Sequence, residues 1–415
     1  MKSVTFVNAA VRAASSATAH GVTAGAEVAD RSGGWRARTW LGAPAPGGLA
    51  LPAAQPTASW LYAPRGVHLG HYRGRQVLVA ADTGNHRVLI WHEVPDQDEQ
   101  PCDVVLGQPD AYSEGPAAGT GDTRTGLNLP TGVLIHEGKL IVADAWHHRV
   151  LVYDGLPEGP GAAPDLVLGQ PSPDCVAPNA DGEPSPVTLY WPFGVGQVGG
   201  RFYIADTGNR RVLGWSGGLP ASAATPPDVI LGQPDGFSRA ENRGGEPGGD
   251  SFRWPHSITG ISTAGDLYVA DAGNHRVLGW AAHPDRDRPA DSVLGQPDFT
   301  SASELPYGPQ GAGTLRFPYA ADADGTTLAV ADTANNRILL WDSAPVATAT
   351  AASGTGRGPD AIAVLGQPGF GPNGENGWSG VTRDSLCWPY GISLSGDRLA
   401  VADSGNNRVV IWERS

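Results

Sequence analysis

One segment, ADTGNHRVLIW at 81–91, recurs six times with variation, and this repeat constrains the fold more than any other feature of the chain. Each copy has an aspartate, an arginine five residues later and an aromatic residue four residues after the arginine. The copies are Asp82–Arg87–Trp91, Asp144–Arg149–Tyr153, Asp206–Arg211–Trp215, Asp271–Arg276–Trp280, Asp332–Arg337–Trp341 and Asp403–Arg408–Trp412. The spacing of 61–71 residues is too long for a helical hairpin repeat, whereas it suits a four-stranded propeller blade with a long loop. The pattern therefore predicts an all-β, six-bladed β-propeller.

A second motif, Gly-Gln-Pro, ends the predicted fourth strand of each repeat but occurs once fewer. Its glycines are Gly107, Gly169, Gly232, Gly295 and Gly366. The chain stops after the third strand of the last repeat, while Trp40–Pro44 near the N-terminus reads as a degenerate copy of this motif. We therefore expect residues 35–42 to form the outer strand of the last blade, which closes the ring and removes exposed strand edges. Residues 35–415 would then be one propeller domain, and residues 1–34 an N-terminal arm or flexible segment.

The segments Ala81–Val88 and Ala270–Val277 resemble NHL repeats, which form six-bladed β-propellers. The resemblance extends over roughly residues 35–415 and implies the fold. It implies less about function, because NHL propellers serve as protein-binding modules, as RNA binders and in a few cases as enzymes. The function has to be argued from a site.

Composition excludes several classes of partner. The formal net charge is −14 and the chain has no run of Lys or Arg, so neither nucleic acid nor an anionic membrane is an expected partner. No apolar stretch approaches the roughly 20 residues of a membrane span. The three cysteines form no CxxC pair, and the N-terminus is a poor signal peptide. A cytoplasmic protein is expected, with a monomer favoured.

The repeated polar residues are interpreted as scaffold, because a feature present in every blade serves the blade. The aspartate is expected to tie the turn between the second and third strands, where Gly or Asn tolerates positive φ. The arginine is expected to pair with an aspartate of its own or a neighbouring blade and to contact the aromatic ring four residues later. The aromatic series is expected to pack between blades.

A site on the propeller axis should break the sixfold pattern, and the residue after each blade-opening proline does so. These residues are Arg65, Thr131, Phe193, His256, Tyr319 and Tyr390. One hypothesis is a lyase, hydrolase or isomerase with its active site at the channel mouth. His256 would then act as a base or ligand, Tyr319 and Tyr390 as proton donors, and Arg65 as an anion clamp.

A metal-dependent version follows from the family resemblance. Within the NHL superfamily, peptidyl-hydroxyglycine lyases hold a metal with Pro-His segments of several blades, and Trp254–Ser257 resembles one such segment. The other five blades lack a histidine at this position, whereas a zinc site needs at least three good ligands. No cofactor is therefore expected. The alternative is a single divalent metal on the channel axis, with His256 as its ligand.

A second break in the pattern lies in blade two, where Trp146 and His147 replace the Gly-Asn of other repeats. Both side chains are expected to project at the channel-mouth face, where they would either belong to a local loop that packs on its neighbour or form an aromatic wall of a ligand or protein site. The leading hypothesis is therefore a binding module or scaffold that recognises a protein or peptide on this looped face. Its candidate contacts are Trp146, His147, Phe193 and Thr131, and a small molecule at the channel mouth is the alternative ligand.

Overall fold

The computed structural model describes residues 31–43, 56–260, 265–304, 310–342 and 356–415. Within these ranges, 24 strands form six antiparallel sheets of four strands each. One compact unit spans Arg31–Ser415. Most of the predicted N-terminal arm, residues 1–30, lies outside the described residues, whereas Arg31 bonds through its carbonyl oxygen to the N–H of Val364 at 2.9 Å.

The strands occupy four equivalent positions in the six sheets. The innermost strands are β2 Gly66–Tyr72, β6 Val133–His136, β10 Pro192–Val198, β14 Pro255–Thr259, β18 Pro318–Ala323 and β22 Pro389–Ser395. The second strands are β3 Arg75–Asp82, β7 Lys139–Asp144, β11 Arg201–Asp206, β15 Leu267–Asp271, β19 Thr327–Asp332 and β23 Arg398–Asp403. The third strands are β4 Arg87–Trp91, β8 Arg149–Tyr153, β12 Arg211–Trp215, β16 Arg276–Trp280, β20 Arg337–Asp342 and β24 Arg408–Arg414. The outermost strands are β5 Val104–Leu106, β9 Leu166–Leu168, β13 Val229–Leu231, β17 Ser292–Leu294, β21 Ala363–Leu365 and β1 Trp35–Gly42.

The six sheets form a ring, because each innermost strand contacts the innermost strands of the two neighbouring sheets. The contacts run from β2 through β6, β10, β14, β18 and β22 and return to β2. The sixth sheet has the order β1-β24-β23-β22, with Trp35 opposite Arg414 and Gly42 opposite Arg408. Residues from the two ends of the described chain therefore share one blade.

The apolar core lies between neighbouring sheets, and the repeated aromatic residue is its largest member. Trp91 packs in a cluster with Ala400 and Ile411 of the sixth sheet, and Trp280 packs with Tyr203 of the third. Trp91 is fully buried, and its indole N–H donates to the carbonyl of Gln100 at 3.1 Å. The expected packing of the aromatic series between blades is therefore present.

The Asp–Arg pair of each repeat joins one blade to its long loops. In the third blade, Arg211 Nε lies 2.7 Å from Asp206 Oδ2, and neither side chain is exposed. The two terminal nitrogens of the Arg211 guanidinium donate to the carbonyls of Gly236, Ser185 and Thr188. The expected guanidinium–ring contact is wrong: none of the six motif arginines lies over an aromatic ring of the described residues. The guanidinium donates hydrogen bonds to loop carbonyls instead of contacting a ring.

The turn after each second strand is a short 3₁₀ helix. These helices are Thr83–Asn85, Ala145–His147, Thr207–Asn209, Ala272–Asn274, Thr333–Asn335 and Ser404–Asn406, and the loops add Ala117–Gly119, Pro178–Asp181, Glu241–Gly244 and Glu375–Trp378. The left-handed residue is the one after the turn, as at His86 with φ 55°. Positive φ is therefore found at an asparagine in blades five and six, at Asn336 and Asn407, but not at the preceding Gly and Asn of the turn, such as Gly84 and Asn85. Gly84 is needed for space, because a Cβ there would lie 2.4 Å from the Tyr62 ring.

The left-handed residue also connects consecutive blades. Its side chain accepts the backbone N–H of the residue that precedes the next blade-opening proline. The pairs are His86 with Leu129, His148 with Trp191, His275 with Phe317, Asn336 with Trp388 and Asn407 with Ala63. Blade three has Arg210, which has no acceptor, and there the Trp254 N–H bonds to Asp271 at 3.1 Å. Each of the five residues held by a His or Asn has positive φ, whereas Trp254 does not.

These contacts make folding sensitive to acid. Burial lowers the pKa of both His148 and His275 from 6.5 to about 4. Each Nδ1 accepts an interblade backbone N–H, so a proton on Nδ1 would break that contact. The unfolded chain therefore takes up protons first, and stability falls as pH decreases from about 6.5 towards 4. The double variant His148→Asn, His275→Asn uses the residue of the fifth and sixth blades. We expect it to lose less unfolding free energy than the wild type between these pH values, as measured by urea unfolding.

The exposed His71→Asn substitution is the control and should leave the pH profile of unfolding unchanged. Equal pH profiles for the wild type and the double variant would contradict this account of the interblade histidines.

Candidate functional site

A cavity of about 270 Å³ runs along the propeller axis between the innermost strands. All six residues that follow the blade-opening prolines line it: Arg65, Thr131, Phe193, His256, Tyr319 and Tyr390. They lie at the end of the ring that also carries the six 3₁₀ turns, since the Thr83 hydroxyl of one turn donates to the carbonyl of Pro130 at 2.7 Å. We call this end the mouth face.

Five of the six side chains form a continuous arc, called here the inner arc. The ring centroids of Phe193 and His256 are 4.2 Å apart, those of His256 and Tyr319 are 4.6 Å apart, and those of Tyr319 and Tyr390 are 4.5 Å apart. The Arg65 guanidinium carbon lies 4.8 Å from the centre of the Tyr390 ring. These distances are typical of aromatic and cation–π contacts. The sequence-predicted residues are thus brought together, with a single formal positive charge at one end of the arc.

Thr131 completes the circle in a different way. Its side chain is buried, and its hydroxyl donates to the carbonyl oxygen of Phe193 at 2.7 Å. The hydroxyl is therefore already engaged in holding blade two against blade three.

A second set of aromatic residues surrounds the arc and was missed by sequence reasoning. These residues immediately precede the prolines and are Trp191, Trp254, Phe317 and Trp388. Trp191 meets His256 edge-on with centroids 5.9 Å apart, and Phe317 stacks on Tyr319 at 6.5 Å. The signal was the repeated aromatic-proline dipeptide, which marks a position that the interblade hydrogen bonds fix at the mouth face. The two sets together form a continuous aromatic surface around the mouth of the cavity.

The structure separates the two unusual residues of blade two. Trp146 is 51% exposed on the mouth face. His147 is buried instead, with Nδ1 2.9 Å from Asp144 Oδ2, where other blades place the amide of an asparagine. The expectation that His147 projects beside Trp146 is wrong, because the motif aspartate needs a donor at this position. Trp146 takes the place of Gly84, and the small Asn128 takes the place of Tyr62, so bulk is exchanged between two neighbouring positions.

His256 is a neutral hydrogen-bond acceptor at the centre of the arc. Its Nδ1 lies 2.8 Å from the Trp254 carbonyl oxygen, which can only accept, so Nδ1 carries the proton. Burial, opposed by this bond and assisted by the nearby Arg65 charge, lowers the pKa of His256 to about 3. Nε2 is buried and has no hydrogen-bond partner among the described residues. A lone pair is therefore available in the wall of the cavity.

A carboxyl group lies deeper in the cavity, three residues further along its strand than Tyr319. Asp322 accepts the N–H of Leu394 at 2.7 Å and the hydroxyl of Thr259 at 3.2 Å, so it joins three consecutive blades. Desolvation raises the pKa of Asp322 to about 6 despite these hydrogen bonds. Its bonds to the two neighbouring blades give it a structural role.

The surroundings of His256 do not fit a metal site. No group of three His, Cys, Asp or Glu side chains in the described ranges is placed to hold a metal ion. The nearest side chains to His256 are the rings of Phe193 and Tyr319, which are poor ligands for a divalent cation.

The arrangement favours binding over proton transfer. A general acid or base works best with a pKa near the working pH. The pKa of His256 is lowered to about 3, and burial raises the pKa of Tyr319 above its usual range. What the arc offers at neutral pH is a cation, an acceptor nitrogen and aromatic surface.

Comparisons with known proteins agree with this architecture. The model of the NHL repeat matches residues 252–280 and 386–412. A search of curated protein sequences finds no match. None of the helical turns in the described ranges has the length and apolarity of a membrane span.

Several solved structures are similar in fold. The WD40 β-propeller domain of Doa1 is 11% identical, with a TM-score of 0.45 and coverage of 92% of this chain and 98% of that one. Virginiamycin B lyase from Staphylococcus aureus with quinupristin is 12% identical, with a TM-score of 0.42 and coverage of 87% and 96%. Hydrazine synthase from Kuenenia stuttgartiensis is 13% identical, with a TM-score of 0.46 and coverage of 88% and 99%. Similarity at this level carries no inference about activity. The NHL-repeat model thus matches the fourth and the last repeat of this chain, and the described residues form a six-bladed β-propeller of four-stranded sheets.

Proposed function

We propose that the protein is a binding module that recognises a peptide segment of a partner protein on its mouth face. The observation that supports this most is that three consecutive blades each expose a large aromatic side chain at this face. Trp388 of blade six, Tyr62 of blade one and Trp146 of blade two are 38%, 48% and 51% exposed. Large exposed apolar surface on a monomeric protein often marks a binding site.

The geometry of these rings suits recognition. Trp388 is held in place, since its indole N–H donates to Glu375 at 3.0 Å and its backbone N–H donates to Asn336. Tyr62 packs against the turn at Gly84, whose N–H it accepts at 2.8 Å. Rings on a rigid base lose little conformational entropy on binding, and tryptophan and tyrosine dominate the binding energy of many interfaces.

The test is selection of peptides from a random display library on the full chain, followed by affinity measurement of the selected peptides. Trp146→Gly restores the residue of four other blades and so preserves the turn. We expect this variant and Trp388→Ala each to weaken peptide binding about tenfold or more, the loss typical of a central aromatic contact.

Ile362→Ala is the matched control, because Ile362 is 66% exposed and precedes an outer strand at the opposite face. It should leave affinity unchanged. Selected peptides whose affinity survives both tryptophan substitutions, or no selected peptide at all, would overturn the proposal.

A further inference from the structure

The Arg65 guanidinium has no hydrogen-bond acceptor among the described residues. Its Nε is buried without a hydrogen-bond partner, and within the described ranges the side chain forms no hydrogen bond or ion pair. Its contact is the face of Tyr390. Most other partly buried arginines of the described chain pair with a carboxylate, as Arg243 does with Asp250 at 2.7 Å. The buried Nε–H has lost its hydration without gaining an acceptor among the described residues, which is unfavourable for a charged group.

His256 presents the complementary deficiency. Its side chain is 1% exposed, its Nδ1–H donates to the Trp254 carbonyl, and no described residue donates to its Nε2 lone pair. Arg65 and His256 line the same cavity. The two groups require different partners. The arginine has only donors and a positive charge, so it requires an anion, and the imidazole nitrogen requires a hydrogen-bond donor.

We propose that the axial cavity binds a small organic carboxylate that carries a hydroxyl or amide donor beside its carboxylate group. The carboxylate pairs with Arg65, the donor bonds to His256 Nε2, and the rings of Phe193, Tyr319 and Tyr390 enclose the rest of the ligand. A hydroxy acid and the C-terminus of a peptide both have this chemistry. The site lies inside the ring and uses none of the exposed rings Tyr62, Trp146 and Trp388, so it is independent of the proposed function.

The charges of the cavity fix the orientation of the ligand. Arg65 stands at the mouth. Asp322 lies three residues further along its strand than the mouth residue Tyr319, which places its carboxyl roughly 10 Å deeper. Repulsion from Asp322 therefore keeps the carboxylate of the ligand at the mouth. The cavity volume of about 270 Å³ limits the ligand to a small molecule or to the last residues of a peptide.

The experiment is calorimetric titration of the full chain with three compounds that differ by one group. They are 3-phenylpropanoate, 3-phenyllactate, which adds the hydroxyl, and 3-phenyllactamide, which removes the charge. We expect 3-phenyllactate to bind about tenfold more tightly than 3-phenylpropanoate, the effect of one hydrogen bond to a buried acceptor, and the amide to bind least. A tripeptide with a free C-terminus, titrated beside its amidated form, distinguishes a peptide end from a free acid as the source of the carboxylate.

Variants assign the groups. Arg65→Gln should abolish the preference for the acid over the amide, and His256→Phe should abolish the preference for the hydroxy acid. Arg73→Gln is the matched control, because Arg73 also lies over a tyrosine ring, that of Tyr72, at the other end of the same strand. It should bind like the wild type.

Thermal unfolding without ligand separates a binding role from a structural one. Since the Arg65 side chain has no hydrogen-bond acceptor in the described part of the chain, Arg65→Gln should leave the melting temperature unchanged or raise it, whereas removal of a structural cation would lower it. Absence of saturable binding by every free acid, or equal binding by the Arg65→Gln variant, would overturn the proposal.

Discussion

Replacement of Arg211 by methionine is expected to lower the free energy of unfolding by about 3–5 kcal/mol, the usual cost of removing one partner of a buried ion pair. Asp206 would remain fully buried without its cation. The carbonyls of Gly236, Ser185 and Thr188 would lose their donors at the same time. Urea unfolding followed by tryptophan fluorescence measures the effect.

The exposed ion pair of Arg75 and Glu93 provides the comparison. Both side chains are 68% exposed, and an exposed pair contributes about 0–1 kcal/mol. Arg75→Met should therefore be nearly neutral. If Arg75→Met and Arg211→Met had similar effects, the motif arginine would not be the structural centre of its blade.

Most of the fold could be predicted because a repeat reports the same information six times. The recurrence of Asp, Arg and an aromatic residue gave the blade number, and the missing sixth Gly-Gln-Pro drew attention to residues 35–42. The role of the glutamine in that motif could not be predicted from the sequence. Gln108 donates to the carbonyls of Asn85, His86 and Gly115, so it joins the turn to the following loop. The glutamine recurs with the motif, but its partners lie about 23 residues away and are backbone carbonyls, which no helix or strand periodicity reveals.

The location of the candidate site could also be predicted, because residues that follow equivalent prolines must meet at the axis. The roles of individual side chains could not. His147 occupies the place of an asparagine and is hydrogen-bonded to Asp144. The Thr131 hydroxyl is hydrogen-bonded to the carbonyl of Phe193. Whether a polar group is free or engaged depends on backbone atoms of the neighbouring blade, and the sequence does not state their positions.

A glycine follows the mouth residue in four of the six blades, at Gly66, Gly132, Gly194 and Gly391, where it allows the innermost strands to approach closely. A Cβ on Gly66 would lie 1.7 Å from the carbonyl oxygen of Thr131 in the next strand, and one on Gly194 would lie 2.2 Å from that of His256. Backbone atoms cannot move aside as a flexible side chain can. Gly66→Ala should therefore cost about 3 kcal/mol of unfolding free energy, at the upper end for overpacking.

Gly217→Ala is the control, because a Cβ at Gly217 has open space and its φ is not left-handed. This variant should have the same free energy of unfolding as the wild type. If Gly66→Ala unfolded at the same urea concentration as the wild type, the ring could widen without loss of unfolding free energy, which would contradict this account.

The same substitution links the fold to the cavity. Gly66 adjoins Arg65 in the chain, and its close approach to Thr131 sets the width of the channel mouth between blades one and two. Displacement of this strand should move Arg65 away from the Tyr390 ring. We therefore expect Gly66→Ala to lose stability and carboxylate binding together, whereas Arg65→Gln should lose binding alone. Comparison of the two variants by urea unfolding and calorimetry separates the group that binds the anion from the backbone packing that positions it.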